Sequence, residues 1–256
     1  MSQKTRADGS ARERLQAQRE KEKARARRGR QAKVAGAVVV VLAVAAGIAL
    51  WASSTGEDKS APVAAPKGAT GGDKPMVTVG KKSAPSTLQV WEDFRCPACK
   101  QFETGFRSTL HELEDSGQLR TDYHLALLID GNMGGKGSLN AANAALCAQN
   151  GGKFREYHDV LFSSQPPEQQ DRYASKKYLI QLAGKVPGLV TQDFRSCVQD
   201  GKYNGFAQKS QEAFQNAGLQ GTPSVILNGK NIFADPSAQV TPQKLKQMVL
   251  DANKKK

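Results

Sequence analysis

The distribution of apolar and polar positions from residue 76 onward predicts a domain built of both strands and helices. Short apolar runs at 76–79 and 88–91 are typical of strands. Residues 96 to about 114 carry apolar side chains at helical spacing, and alternation at 119–128 predicts a third strand. The domain therefore begins with the order β-β-α-β.

Helical patterns then continue through an inserted block at about 138–217, interrupted by glycine, proline and polar residues. Strand patterns return at 224–227 and 231–233, around an Asn228-Gly229 pair that favours a tight hairpin turn. A last amphipathic helix follows. The pattern predicts an α/β domain at 76–256, with a mixed central sheet and a helical insertion.

An unbroken apolar run of eighteen uncharged positions occupies residues 34–51 and ends in Trp51. A transmembrane helix needs about 20 apolar residues, and tryptophan favours the lipid–water interface. Lysines and arginines crowd the N-terminal flank, and such residues are retained in the cytoplasm. The run therefore predicts a single-pass anchor in the cell membrane, with a cytoplasmic N-terminus and an extracytoplasmic domain.

A cleaved secretory signal is the alternative interpretation of the same run. The basic region before the run is long, and no clear small-x-small cleavage site ends it, so we favour a retained anchor. A lipoprotein anchor is excluded because no cysteine directly follows the run.

The charge of the chain is concentrated at its beginning. The net charge is +13, and residues 1–33 hold twelve basic and four acidic side chains, so 12 − 4 = +8 of it lies there. This cytoplasmic tail has almost no large apolar residue and is predicted to be disordered. The basicity therefore does not indicate nucleic-acid binding.

Residues 52–75 are rich in small residues, proline and lysine, which predicts a flexible extracytoplasmic linker.

Cys96 and Cys99 lie at the predicted junction between a strand and a helix. Two thiols in a first helical turn can form a disulfide, and the helix N-terminus favours the thiolate of the leading cysteine. Pro97 suits the first helical position, where its missing N–H costs nothing. The spacing indicates thiol–disulfide exchange, with Cys96 as the nucleophile and Cys99 as the resolving thiol.

Metal binding is the alternative use of such a pair. A zinc site usually has a second closely spaced pair, whereas Cys147 and Cys197 are single and fifty residues apart. Thiolates also bind Cu(I), but no methionine or histidine accompanies Cys96 and Cys99. We therefore expect neither a metal nor another cofactor.

Cys147 and Cys197 both fall within the inserted helical block. Neither lies at a strand–helix junction, which would lower the pKa of a thiol. We expect one structural disulfide between them, and a second redox pair is the alternative.

The segment Glu92-Asp-Phe-Arg-Cys-Pro-Ala-Cys-Lys100 resembles the active-site segment of the DsbA-like thiol–disulfide oxidoreductases. Gly221-Thr-Pro-Ser224, directly before a predicted strand, resembles a second motif of these proteins, and the helical insertion is a third similarity. The resemblance covers roughly residues 76–252 and extends to membrane-tethered bacterial members. It implies a thioredoxin fold with an inserted helical block, here preceded by a transmembrane helix.

The resemblance also implies roles for residues around the cysteines. Pro223 is expected to be cis and to pack against the Cys96–Cys99 disulfide, and Thr222 is expected to contact this disulfide. Both residues are expected to help bind substrate backbone. Ala98 replaces a histidine often found in the oxidases, and Thr222 also occurs in isomerases and reductases. These two residues leave the redox direction open.

The other ionisable residues give weaker signals. Glu92 and Asp93 precede the motif, either as surface charges or with one of them as a buried acid that carries protons. His111, His124 and His158 are scattered without ligand spacing, and we expect them on the surface or in packing.

The leading hypothesis is a membrane-anchored enzyme that forms disulfides in extracytoplasmic substrate proteins through Cys96 and Cys99. A membrane redox partner would reoxidise it. One alternative is a disulfide reductase or isomerase kept reduced by a membrane electron donor, and another is a non-catalytic Cu(I)-binding module. The reduction potential distinguishes the two enzymes, and no residue type fixes it.

Overall fold

Five strands form one mixed sheet among residues 63–234 and 239–255, the part of the chain that the computed structural model describes. The strands are β1 (Val77–Gly80), β2 (Ser86–Glu92), β3 (Leu119–Leu125), β4 (Ser224–Leu227) and β5 (Lys230–Asn231). Their spatial order is β1-β3-β2-β4-β5. β2 and β3 pair in parallel, and all other neighbours pair antiparallel.

The helices of the described residues lie between β2 and β3, between β3 and β4, and after β5. They are α1 (Pro97–Asp115), α2 (Leu128–Met133), α3 (Gly137–Asn150), α4 (Phe154–Ser163), α5 (Lys176–Ala183), α6 (Gln192–Asp200), α7 (Asn204–Asn216) and α8 (Pro242–Asn253). The insertion comprises α2 to α7. This is a thioredoxin-like mixed α/β fold with a helical insertion.

The side chains of β2 alternate between two apolar layers. Leu88 and Val90 are fully buried in the main core, together with Leu245 of α8. Trp91 points to the opposite face, because successive side chains of a strand do so, and packs with Phe214 of α7 at 6.1 Å between ring centroids. Burying each such side chain stabilises the fold by about 1.5–3 kcal/mol. The end of β2, from which the cysteine segment continues, is thus held from both faces.

The insertion begins earlier than the sequence pattern predicts. The strand predicted at 119–128 ends at Leu125, and the helical block starts at Leu128 rather than at about 138. The apolar run of this region is compatible with either structure, but the Ile129 N–H donates to the buried Asp93 carboxylate at 2.9 Å. This contact, with a residue 36 positions earlier in the sequence, satisfies an N–H of the first helical turn.

The predicted linker at 52–75 also differs from the structure in its second part. Residues 63–75 fold onto the domain: Val63 packs against the core, and Thr70 and Met76 exchange two backbone hydrogen bonds of 3.0 Å. Apolar packing and backbone hydrogen bonds together hold this segment on the domain, and composition alone does not show such contacts.

Three predictions lie wholly or partly outside the described residues. They are the cytoplasmic tail at 1–33, the transmembrane anchor at 34–51 and the first part of the linker. Within the described part of the chain, no helix has the length and apolar character required to cross a bilayer.

Candidate active site

The cysteine pair lies at the junction of β2 and α1. Cys96 is the N-cap of α1, Pro97 is the first helical residue, and Cys99 follows in the first turn. Both cysteines are free thiols; Cys96 is 6% exposed and Cys99 is 0% exposed. Cys96 is therefore the sulfur that a second molecule can reach.

The two thiols differ in acidity. The pKa of Cys96 is lowered to about 6, mainly by the hydrogen bond from the Cys99 thiol, which outweighs burial. Thr222 and the backbone N–H groups of Ala98 and Cys99 lower it further. The pKa of Cys99 is raised well above its ordinary value, chiefly by burial. At neutral pH the pair is a thiolate nucleophile beside a protonated resolving thiol, as exchange requires.

Thr222 and Pro223 lie beside Cys96. Their peptide bond is cis, and Cys96 Sγ lies 3.3 Å from the Thr222 carbonyl oxygen, to which the thiol donates. This carbonyl cannot stabilise a thiolate. The buried Thr222 hydroxyl has no hydrogen-bond partner among the described residues. It can therefore donate to the Cys96 thiolate, and the Thr222 side chain is one of the groups that lower the pKa of Cys96.

Thr222→Val is expected to raise the pH at which Cys96 becomes reactive. In the unchanged protein the rate of alkylation by iodoacetamide should decrease as the pH is lowered, with a midpoint at about pH 6. A hydrogen bond to a charged group contributes about 1.5–3 kcal/mol, so its loss should raise the midpoint by about one to two pH units. Valine matches threonine in shape, so an unchanged midpoint would show that the hydroxyl does not contact the thiolate.

The same pKa shift makes the stability of the reduced protein depend on pH. The folded pKa of Cys96, about 6, lies below the value of roughly 8.5 for an unfolded cysteine. Ionisation therefore stabilises the folded dithiol form fully above the unfolded pKa, and this contribution is lost as the pH falls through the folded pKa.

Arg95 ties the active-site segment to the insertion. Its guanidinium is 4% exposed and donates to Asp130 Oδ1 at 2.6 Å and to the Gly134 carbonyl at 2.8 Å. It also lies 3.5 Å from Asp171. A buried charge with this many partners has one favourable position, so these contacts fix Arg95, the residue next to Cys96.

Gln165 of the insertion holds the same segment from another side. Its side-chain amide donates to the carbonyls of Phe94 and Cys96, at 2.8 and 3.0 Å. Lys100, next to Cys99, donates in turn to the Gln165 carbonyl at 3.2 Å. The backbone on both sides of the nucleophile is therefore positioned by the insertion.

Asp93 is a buried acid whose hydrogen-bond partners are backbone N–H groups and a hydroxyl of neighbouring elements. Its carboxylate accepts hydrogen bonds from the N–H groups of Arg95 and Ile129 and from the Ser138 hydroxyl, at 2.8 to 2.9 Å. Burial nevertheless raises its pKa to about 7. Asp93 thus joins the cysteine segment to α2 and α3.

Glu92, Glu103 and His158 form a buried cluster that the sequence analysis did not bring together. One potential ligand atom from each of the three side chains lies within 4.8 Å of the other two. These residue types can bind a metal ion, but His158 Nε2 and Glu92 Oε1 are 2.8 Å apart, which is hydrogen-bonding distance. Glu103 follows Cys99 by one helical turn, which is a sequence signal for a shared face. His158 gives no such signal.

The other predicted residues lie away from the cysteine pair. Cys147 of α3 and Cys197 of α6 form a disulfide with a Cα–Cα distance of 5.9 Å. His124 stacks on Trp91 with 3.9 Å between ring centroids. His111 is partly exposed and lies 3.2 Å from Asp159.

Residues 73–251 match the family model described as Thioredoxin. The match covers well over half of the 256 residues. The protein therefore belongs to this thioredoxin family.

Individual relatives show which class of thioredoxin-like protein this chain belongs to. The chain is 26% identical to Disulfide bond formation protein D of Bacillus subtilis over 167 residues, which are 63% of this chain and 72% of the relative. The solved structure of the reduced disulfide bond oxidoreductase DsbG of Mycobacterium tuberculosis matches with a TM-score of 0.60 and 28% identity, over 69% of this chain and 86% of that one. Oxidised DsbA of the same organism matches with a TM-score of 0.60 and 27% identity, over 70% and 92%. The protein is a DsbA-like thiol–disulfide oxidoreductase.

Proposed function

We propose that this protein is a membrane-anchored oxidase that forms disulfide bonds in extracytoplasmic proteins. The proposed direction, oxidation of the substrate, rests on the pKa of Cys96, which is about 6. A stabilised thiolate stabilises the reduced protein, which makes the Cys96–Cys99 disulfide a stronger oxidant of substrate thiols. The name of the Bacillus subtilis relative, a disulfide bond formation protein, supports the same direction.

The oxidation proceeds through a mixed disulfide. A substrate thiolate attacks Cys96 Sγ, the Cys96–Cys99 bond breaks, and Cys99 leaves as a thiolate that takes up a proton. A second substrate thiolate then attacks the substrate sulfur bound to Cys96. Cys96 leaves as the stabilised thiolate, and two electrons have passed from the substrate to the protein.

The proposed location rests on the sequence before the described domain. The apolar run at 34–51 has the length and the basic flank of a single-pass anchor with a cytoplasmic N-terminus. Such an anchor would keep the cysteine pair near a redox partner in the membrane, which would accept the two electrons. The substrates would be secreted or surface proteins that contain thiols.

The equilibrium reduction potential of Cys96–Cys99 tests the direction. The full chain would be equilibrated in glutathione buffers of known potential, with Cys147–Cys197 intact, and the fraction of reduced pair measured after acid quenching and alkylation. An oxidase is expected to give roughly −120 to −180 mV. A value of about −270 mV or lower would instead support a reductase.

A further inference from the structure

The buried cluster of Glu92, Glu103 and His158 joins three elements of the fold. Glu92 ends β2, Glu103 lies in α1 and His158 lies in α4. The three residues are 0%, 2% and 1% exposed, and it is the one group of three potential metal ligands among the residues that the structure describes. Burying ionisable side chains costs free energy unless they are paired. Two buried carboxylates beside one histidine therefore require further positive charge.

The two carboxylates also keep oxygens that no protein donor satisfies. His158 Nε2 lies 2.8 Å from Glu92 Oε1. Glu92 Oε2 and Glu103 Oε1 are buried without a hydrogen-bond partner among the described residues, whereas the large majority of buried polar atoms have one. A divalent cation in the cluster would contact these oxygens and balance both carboxylate charges.

The surroundings of His158 are those of a histidine ligand. Its second ring nitrogen, Nδ1, lies 3.6 Å from Asp159 Oδ1. Asp159 is held in turn by ion pairs with Arg107 and His111, each at 3.2 Å. A histidine that binds a metal almost always directs its other ring nitrogen to such a partner, which orients the ring and fixes the tautomer. Asp159 can do this for His158, and Nε2 then faces the two glutamates.

We propose that Glu92, Glu103 and His158 form a binding site for one divalent transition-metal ion, with zinc as the preferred occupant. Zinc accepts imidazole and carboxylate ligands, usually four in number. The three side chains supply three donor atoms, and the second oxygen of one carboxylate completes the set. Calcium and magnesium are disfavoured because they require six or more ligands, mostly oxygens. The ion would join the strand before the cysteines, the helix that carries them and the insertion.

Protons compete with the metal for this cluster. Burial raises the pKa of Glu103 well above its ordinary value. Burial would lower the pKa of His158, but Glu92 and Glu103 raise it well above its ordinary value. Without a metal, a neutral Glu103 and a positively charged His158 therefore accompany the Glu92 carboxylate. Metal ligands must be deprotonated, so zinc would displace two protons, and the buried cluster is neutral in both states.

Titration of the metal-free full chain with Co²⁺ tests the site. Cobalt is the probe because its four-coordinate complexes absorb visible light strongly, and the Cys96→Ser, Cys99→Ser double variant is the background because it removes the thiols as ligands. We expect the absorption to saturate at one Co²⁺ per chain and to disappear when Zn²⁺ is added. Zinc should also raise the unfolding temperature, since it binds the folded chain. The site is independent of the direction of disulfide exchange, and this background measures it without any exchange.

Variants of the cluster connect the ion to these residues. Loss of an outer partner of a metal ligand weakens binding about 10- to 100-fold, which is the result expected for Asp159→Asn. Loss of a ligand, in Glu103→Gln or His158→Gln, should weaken binding at least about 100-fold. Glutamine has the shape of the neutral glutamic acid, so Glu103→Gln should fold and decides the question if His158→Gln does not.

His124→Gln is the matched control for these variants. His124 is also buried, but it stacks on Trp91 on the other face of the sheet, so its loss should leave the affinity for Co²⁺ unchanged. Two results would overturn the proposed site: no Co²⁺ absorption in the double-variant background, or unchanged affinity in folded Glu103→Gln. The second result would show that the ion binds elsewhere on the chain and that protons alone neutralise the cluster.

Discussion

Cys96→Ser is expected to abolish all measurable disulfide exchange, whereas Cys99→Ser is expected to accumulate covalent complexes with substrates. Cys96 is the sulfur that a second molecule reaches and the one with the lowered pKa. Serine at position 99 cannot attack the mixed disulfide, so the substrate stays bound to Cys96. Non-reducing electrophoresis of the full chain after incubation with a reduced, unfolded protein measures both effects.

The two variants together distinguish a catalytic role of Cys96 and Cys99 from a structural role. Serine replaces sulfur by oxygen with little change of volume, so both variants should fold as the unchanged protein does. The trapped complexes should disappear on addition of dithiothreitol and should be absent from the Cys96→Ser, Cys99→Ser double variant. Turnover that persists in Cys96→Ser would rule out this pair as the exchanging group.

Removal of the Cys147–Cys197 disulfide is expected to destabilise the domain strongly without changing its redox chemistry. The two cysteines are 50 residues apart, and the disulfide joins α3 to α6. Closing a loop of that length in the unfolded chain stabilises the native state by about 4 kcal/mol in the chain-entropy model. The Cys147→Ala, Cys197→Ala double variant should lose a free energy of unfolding of that order.

Denaturation by guanidinium, followed by circular dichroism, measures this loss against the unchanged chain. The double variant is required because a single substitution leaves a free thiol that can exchange with Cys96 and Cys99. The reduction potential of the active pair should stay the same, since neither cysteine of the disulfide contacts it. A stability equal to that of the unchanged protein, or a shifted potential, would contradict the structural role.

Local sequence signals predicted the parts of the fold that depend on a few adjacent residues. The Cys-Pro-x-Cys segment defines both the start of α1 and the position of the thiols, because an N-cap and a first-position proline act within one turn. The Asn228-Gly229 pair forms the hairpin turn, and both residues have positive φ angles, 47° and 87°. A turn of this kind requires such residues, whatever surrounds it.

Contacts between distant parts of the chain were not predictable in the same way. Glu92 and His158 are 66 positions apart, and Gln165 lies 69 positions from Cys96. Nothing in the local sequence shows that these side chains meet, because their partners are set by the packing of α4 and the following loop against the sheet. The end of β3 was misplaced for the same reason, since the Ile129 N–H has its hydrogen-bond partner, the buried Asp93, 36 positions away in the sequence.

The attachment of the insertion to the cysteine segment bears on how such proteins can be engineered. Deleting residues 128–217 to obtain a minimal thioredoxin would leave the Arg95 guanidinium and the carbonyls of Phe94 and Cys96 without the partners they have now. It would also uncover the face of Trp91 that α7 covers. A graft that moves this active site into another scaffold must therefore include the insertion, because the insertion supplies the hydrogen bonds and ion pairs that hold the cysteine segment.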